Sequence, residues 1–230
     1  MQNVADKFLR ARASYEKSAL VQAMMRDELV REIVGAGNSF KRVFEFGAGQ
    51  DELGRILRPK IRYKSYLASD INPFCVNENG VKFINLDMNK PLPNDLGKFD
   101  LIVSNACLQW LDARTVLANL KKHLVPNGLL AVSTFGSKNL WQVRELTGLG
   151  LDYPSIDALE NACKNLKNVK IYKKSIELNF DSAFELFLHL KQSGVNSLGK
   201  LYLGKNLLAQ CESKFKNTLT YEPVFIIARA

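Results

Sequence analysis

Two glycines and a set of acids carry the chemistry that this sequence can be read for. Gly47-Ala48-Gly49 interrupts an apolar run, Val43-Phe44-Glu45-Phe46, that suits a buried strand, and Gln50 to Leu57 can open a helix. Strand, glycine turn and helix make a βα unit whose helix N-terminus faces the turn. A glycine has no Cβ, so a ligand can come close to its backbone, and the turn reads as a nucleotide-type site. The Gly-x-Gly-x-x-Gly spacing of dinucleotide folds fails here. Glu52 holds the third glycine position, and the next glycine is Gly54. Glu45, just ahead of Gly47, would repel a pyrophosphate but could meet an ammonium. The ligand chemistry is that of a nucleoside carrying a cationic amino acid.

S-adenosylmethionine has that chemistry, and the stretch resembles motif I of the Rossmann-like (class I) methyltransferases, Glu/Asp-x-Gly-x-Gly-x-Gly. Asp51 stands in the last glycine place, a departure from the pattern. Taken alone, the motif also fits an ordinary strand-turn-helix with no ligand. Further strand tips decide between the two. Tyr66 to Asp70, followed by Ile71-Asn72-Pro73, ends in an acid that can accept both ribose hydroxyls, although a turn cap ahead of Pro73 is the competing role. Val81 to Met88 ends in Asp87, able to accept the adenine amine, with Met88 to pack on the ring. Phe99 to Asn105 is a fourth buried strand, with Ala106 to Trp110 beyond its end. Ligands of open parallel sheets bind beyond the carboxyl ends of the strands. The cofactor-binding set is therefore Glu45, Gly47, Gly49, Asp70, Ile71, Asp87, Met88 and Asn105.

These tips need a sheet and helices to hold them. Residues 3 to 13 and 18 to 35 read as helices, the second with Leu20, Val21, Met24, Met25, Leu29, Ile33 and Val34 near a 3.6-residue period. The stretch from Phe8 to Lys17 between them reads as a helix packed on the sheet or as a lid. Ala113 to Leu124 is an amphipathic helix with Asp112 placed to cap it and Pro126-Asn127-Gly128 to end it. Leu129 to Phe135 is a fifth strand, Leu140 to Leu146 and 155 to 163 are helices, and Val169 to Phe180 is a sixth strand. Ser182 to Gln192 and Gly204 to Phe215 are helices inserted before a last strand, Tyr221 to Ala230. The fold class is α/β, a mostly parallel Rossmann-like sheet with helices on both faces. The chain divides into an N-terminal helical lid (1–37), a cofactor-binding core (41–180), a helical insertion (181–218) and the last strand (219–230), all within one domain.

Composition narrows the function. The chain has 230 residues, 47% hydrophobic and 24% charged, which are ordinary globular values. The net charge of +9 is spread along the chain with no basic tail, so nucleic acid is not the indicated partner. The densest basic cluster, Arg55, Arg58, Lys60, Arg62 and Lys64, is a solvated face or a dock for an acidic partner. Four separated cysteines and two histidines give no metal site, and His123 suits the charge preference of a helix C-terminus. No apolar run is long enough to span a membrane, and the N-terminus is not a signal peptide. The expectation is a cytoplasmic monomer without metal.

Several stretches together resemble one family. Phe8-x-Arg10-Ala11-x-x-x-Tyr15-Glu16-x-x-Ala19-x-x-Gln22 is similar to the opening of the malonyl-acyl-carrier-protein O-methyltransferases of biotin synthesis. So are Ser104-Asn105-Ala106-x-x-Gln109-Trp110, Ser133 to Gly136 followed by Leu140-Trp141-x-x-Arg144, Leu190-Lys191-x-x-Gly194-Val195-Asn196, and the ending from Leu219 to Arg229. The resemblance implies a seven-stranded sheet and methyl transfer from S-adenosylmethionine to the free carboxylate of a malonyl thioester. It places Tyr15 and Arg144 on the substrate. An ionised malonyl carboxylate is already a nucleophile at pH 7, so no general base is needed, and Arg144 is suited to clamp it with a planar fork. The Tyr15 hydroxyl is the second donor, Trp110 lies on the acceptor side, and Lys191 with Lys200 and Lys205 offers a second basic face for an acidic acyl carrier protein. Two alternatives stay open: another small carboxylic acid as acceptor, or a non-catalytic cofactor-binding module.

Overall fold

Strand alternation sorts the side chains into two layers. In β1 (Ser39–Phe46), Val43 packs in one core layer while Phe44 and Phe46 pack in the other, as the two-residue period of a strand requires. The fold rests on a computed structural model that describes residues 19–73, 80–193 and 203–230. The predicted helix over 3 to 13, the lid segment with Tyr15, and Lys200 lie outside the described residues.

The main sheet has seven strands in the order β3-β2-β1-β4-β5-β9-β6, as the resemblance implied. They are β1, β2 (Arg62–Asp70), β3 (Val81–Asn85), β4 (Phe99–Ser104), β5 (Leu124–Phe135), β6 (Lys167–Lys173) and β9 (Pro223–Arg229). The pairs from β3 to β5 are parallel, and β9 runs antiparallel to both β5 and β6. Strand order reverses at β1, between β2 and β4, where open α/β sheets place their ligands.

Helices cover both faces. On one side lie α1 (Leu20–Ala36), whose Val21, Met25, Leu29 and Ile33 are buried, and α2 (Glu52–Leu57). On the other lie α3 (Ala113–Lys122) and α5 (Ile156–Cys163). Asp112 caps α3 as its position predicts, accepting the N–H groups of Arg114 and Thr115. Ser155 caps α5 through the Ala158 N–H. Past the carboxyl end of β5 come α4 (Trp141–Thr147), α6 (Ala183–Gln192) and α7 (Lys205–Phe215), with a two-stranded sheet of β7 (Ile176–Asn179) and β8 (Thr218–Tyr221).

Four expectations are corrected. The sequence predicts one strand over Val169 to Phe180, which is two, and a last strand from Tyr221 to Ala230, which runs over Pro223–Arg229 with Tyr221 closing the separate strand β8. Antiparallel pairs β6–β9 and β7–β8 form one ribbon that bends where Glu222 turns inward. Glu222 is 6% exposed. Its N–H goes to Asn139 Oδ1 and its carboxylate accepts from the Lys138 N–H and from Lys173. Pro223 then has no N–H with which to continue the ladder. Third, β3 stops at Asn85 rather than Met88, because the Asn85 amide turns to the Ile71 carbonyl at 2.7 Å. Fourth, Pro126-Asn127-Gly128 does not end a helix. The helix stops at Lys122, with the His123 N–H bonding back to Leu120. β5 begins at Leu124 and carries that tripeptide as an irregularity opposite Phe99, with Asn127 at φ 63°.

Candidate functional site

The glycine turn joins β1 to α2 at the carboxyl edge of the parallel strands. Gly47 and Gly49 have φ of 63° and 54°, in the left-handed region where glycine is favoured. A Cβ on Gly47 would lie 2.3 Å from Cys107 Sγ, so the loop after β4 presses directly on the turn. Two bonds tie the turn to β2. The Ala48 N–H donates to the Ser69 carbonyl at 3.0 Å, and the Gly49 N–H donates to Asp70 Oδ2 at 3.0 Å.

Asp70 sits at the tip of β2, where the sequence places it. Its Oδ1 accepts the Asn72 N–H at 2.9 Å. Burial raises the Asp70 pKa above its ordinary value, against the pull of the backbone bonds from Asn72, Gly49 and Ile71. A carboxylate has about four lone-pair sites, so the amides of Asn72, Gly49 and Ile71 still leave capacity for a further donor. Ile71, 37% exposed, stands beside it. Asp87 lies two positions past β3 and accepts the Asn89 N–H at 3.0 Å, while Met88 is buried in the layer of Phe44 and Phe46.

Glu45 is placed differently from what its sequence position indicates. It is 1% exposed, beneath α2, with its Oε2 2.5 Å from the Tyr66 hydroxyl. Burial pushes its pKa up to about 8; the Tyr66 bond opposes this, the neighbouring Asp51 adds to it, and Arg58 counters. Asp51 and Arg58, which the sequence reading did not join, form a two-point ion pair above it. Arg58 Nη1 and Nη2 each lie 2.6 Å from a carboxylate oxygen of Asp51. Of the predicted basic cluster, Arg58 is therefore turned inward, while Arg55, Lys60, Arg62 and Lys64 are exposed.

Asn105, just past β4, is committed at both ends. Its Nδ2 donates to the Gln22 carbonyl at 3.0 Å, and its Oδ1 accepts the Ser133 hydroxyl at 2.6 Å. It fastens α1 and β5 together beside the site. Burial, with the Asp70 charge behind it, pushes the partly buried Cys107 thiol up to about 12, which keeps it a protonated wall rather than a nucleophile. Trp110 follows in the short 3-10 turn Leu108–Trp110 and is partly buried.

Arg144 lies in the last turn of α4, past the end of β5. Its guanidinium bonds the Leu151 carbonyl and lies 3.7 Å from the Asp152 carboxylate, with the side chain 47% exposed. The helix is held from behind by Gln142, 4% exposed, which bonds Thr220 of β8. Sequence reading missed that anchor. Lys191 is exposed in the last turn of α6. Among the described residues no group of three or more His, Cys, Asp or Glu is placed to hold a metal ion, and no helix is long and apolar enough to cross a membrane.

Comparison with known proteins agrees with this architecture. Residues 17–167 match a family model described as a methyltransferase domain. A malonyl-acyl-carrier-protein O-methyltransferase of Calditerrivibrio nitroreducens is 32% identical over 96% of this chain and 94% of that protein. The chain belongs to the malonyl-acyl-carrier-protein O-methyltransferase family. Among solved structures, the YcgJ protein of Bacillus subtilis superposes with a TM-score of 0.60 at 13% identity, covering 88% of this chain and 98% of that one. The N-methyltransferase NodS of Bradyrhizobium japonicum, solved with S-adenosyl-L-homocysteine, gives 0.52 at 15% identity over 89% and 84%. At those identities the likeness carries the fold, a Rossmann-like methyltransferase sheet.

Proposed function

We propose that the protein transfers a methyl group from S-adenosylmethionine to the free carboxylate of a malonyl thioester carried on acyl carrier protein, the methyl ester then priming pimelate formation for biotin. The observation that carries this is the nearly end-to-end match to a relative of that name, in a chain whose glycine turn is tied to an acid at the tip of β2.

The residues present fit the cofactor. Two left-handed glycines leave room for close approach on the ligand side, and Asp70 keeps acceptor capacity for ribose hydroxyls. Asp87 and Ile71 flank the expected adenine position, and Met88 backs it from the core. S-adenosylmethionine, when bound, supplies a sulfonium methyl that is displaced in line. The protein's share is orientation and exclusion of water. Glu45 supports the turn from below, where ionisation of its carboxyl would favour a nearby ammonium. Arg144, with Tyr15 as second donor, would hold the malonate, and its fork would take both carboxylate oxygens. That grip must stay moderate, because a carboxylate bound too firmly in the ground state gains nothing in rate. Trp110 would cover the acceptor side. The exposed Lys191 and Lys205, or the Arg55–Lys64 face, would meet the acidic carrier protein. The protein acts as a cytoplasmic monomer.

The test is incubation with methyl-labelled S-adenosylmethionine and malonyl, succinyl or aconitate acceptors. Label is expected in the malonyl thioester. Preference for another acid would leave the methyltransferase and move the substrate.

A further inference from the structure

One glycine of the turn is missing, and the structure shows what stands in its place. Asp51 occupies the last glycine position of the motif with φ 69° and ψ 27°, a left-handed conformation. Non-glycine residues rarely take it, and aspartate is among the few side chains that do. An aspartate ahead of a helix ordinarily turns its carboxylate onto the first amides, yet Asp51 makes no such bond. The Gln50 N–H, ahead of the helix, goes to Glu52 Oε2 at 3.1 Å. Both Asp51 oxygens go to Arg58, at 2.6 Å each.

Arg58 is itself fixed. Its guanidinium lies 5.4 Å over the Tyr66 ring, and the Tyr66 hydroxyl rests on Glu45. Room for the pair comes from Gly54. A Cβ there would lie 2.2 Å from Asp51 Oδ1 and 2.3 Å from Arg58 Nη1. The turn lacks the motif's last glycine, and the chain holds one on the inner face of α2.

We infer that Arg58 is a positioning residue for the cofactor site: by holding Asp51 left-handed it does the work of the absent glycine and keeps the Gly49 N–H on Asp70. The inference rests on the methyltransferase reading above. It makes Arg58 dispensable once a glycine is restored, which a merely stabilising ion pair would not be.

The test is calorimetric titration of the full chain with S-adenosylhomocysteine, in wild type, R58M, D51G and the double variant D51G/R58M. R58M is expected to bind about tenfold more weakly, since a left-handed non-glycine residue is strained without support. D51G and the double variant are expected to stay within about threefold of wild type, glycine carrying no such cost. R58M binding like wild type, or the double variant binding as weakly as R58M, would overturn the inference. If R58M does not fold, R58K keeps the charge and loses the planar fork; weaker binding by R58K that D51G restores supports the inference, and unchanged binding refutes it. A wild-type protein that binds no S-adenosylhomocysteine removes the methyltransferase reading instead, a different result from equal binding in wild type and R58M.

Discussion

Gln142 grips Thr220 at two points: its Oε1 accepts the Thr220 N–H at 3.1 Å, and its Nε2 donates to Thr220 Oγ1 at 2.7 Å. Leu140 adds a backbone bond, its N–H reaching the Thr220 carbonyl at 2.8 Å. Gln142 and Arg144 share the two turns of α4, so this lock on β8 fixes the helix that carries Arg144. The small second sheet thus braces the helix that carries Arg144, while the main sheet holds the glycine turn through Asp70.

Gln142→Ala should cost about 1–3 kcal/mol of stability, because it strips the partner from the Thr220 N–H. Thermal or urea unfolding measures that loss. Turnover should fall at unchanged cofactor affinity, since the glycine turn is untouched. Cofactor affinity falling in step with turnover would mean the lock serves the whole domain rather than the acceptor side.

Asp70→Asn should weaken S-adenosylhomocysteine binding by about tenfold or more, charged hydrogen bonds contributing about 1.5–3 kcal/mol. Asparagine keeps one acceptor, enough for the Gly49 N–H, and gives up the bond from the Asn72 N–H. Calorimetry showing unchanged affinity in a folded Asp70→Asn protein would remove the ribose assignment.

Arg144→Lys keeps the charge and loses the fork. Methylation of the malonyl thioester should drop about ten- to hundredfold on the same hydrogen-bond scale, with cofactor affinity unchanged. Tyr15→Phe should cost less, about three- to tenfold for one neutral hydroxyl. Steady-state rates with both substrates varied separate these effects. Wild-type rates in both variants would place the carboxylate clamp elsewhere.

Glu45 gives a pH signature. Its pKa is raised to about 8 in the folded chain, chiefly by burial, from an ordinary 4.5. Between those values the folded state binds the extra proton, so stability falls as pH rises. The contribution is complete below about 4.5, lost progressively toward 8 and flat above it, with a slope of at most about 1.4 kcal/mol per pH unit. Glu45→Gln should flatten unfolding curves recorded from pH 5 to 9. An equally steep decline in the Gln variant would assign the dependence to other groups.

How much of this was legible follows from what each signal depends on. The Gly47–Gly49 turn, Asp70 and the Asp112 cap are local patterns, and the structure places them where spacing does. Glu45 was legible as an acid beside the turn but not as a buried one, because only β2 brings Tyr66 over it. Asp51 could be seen as a departure from the glycine pattern; its partner Arg58 lies across α2 and read as part of a surface basic cluster. The bend at Glu222 carries no glycine to mark it, and the imperfect alternation from Val169 to Phe180 reads as one strand. Gln142 carried no signal, since its partner Thr220 is distant in sequence.

Methyl transfer to a carrier-bound malonyl carboxylate is read by following labelled methyl into malonyl-acyl carrier protein and a short malonyl thioester across a salt series. A base-labile methyl ester on the malonyl group is expected. Carrier-bound turnover should fall more steeply with salt, because a basic docking face is screened over about 8–10 Å at physiological ionic strength. Equal salt dependence would remove the basic docking face alone. No label in either malonyl thioester, from a protein that binds S-adenosylhomocysteine, would contradict the account itself.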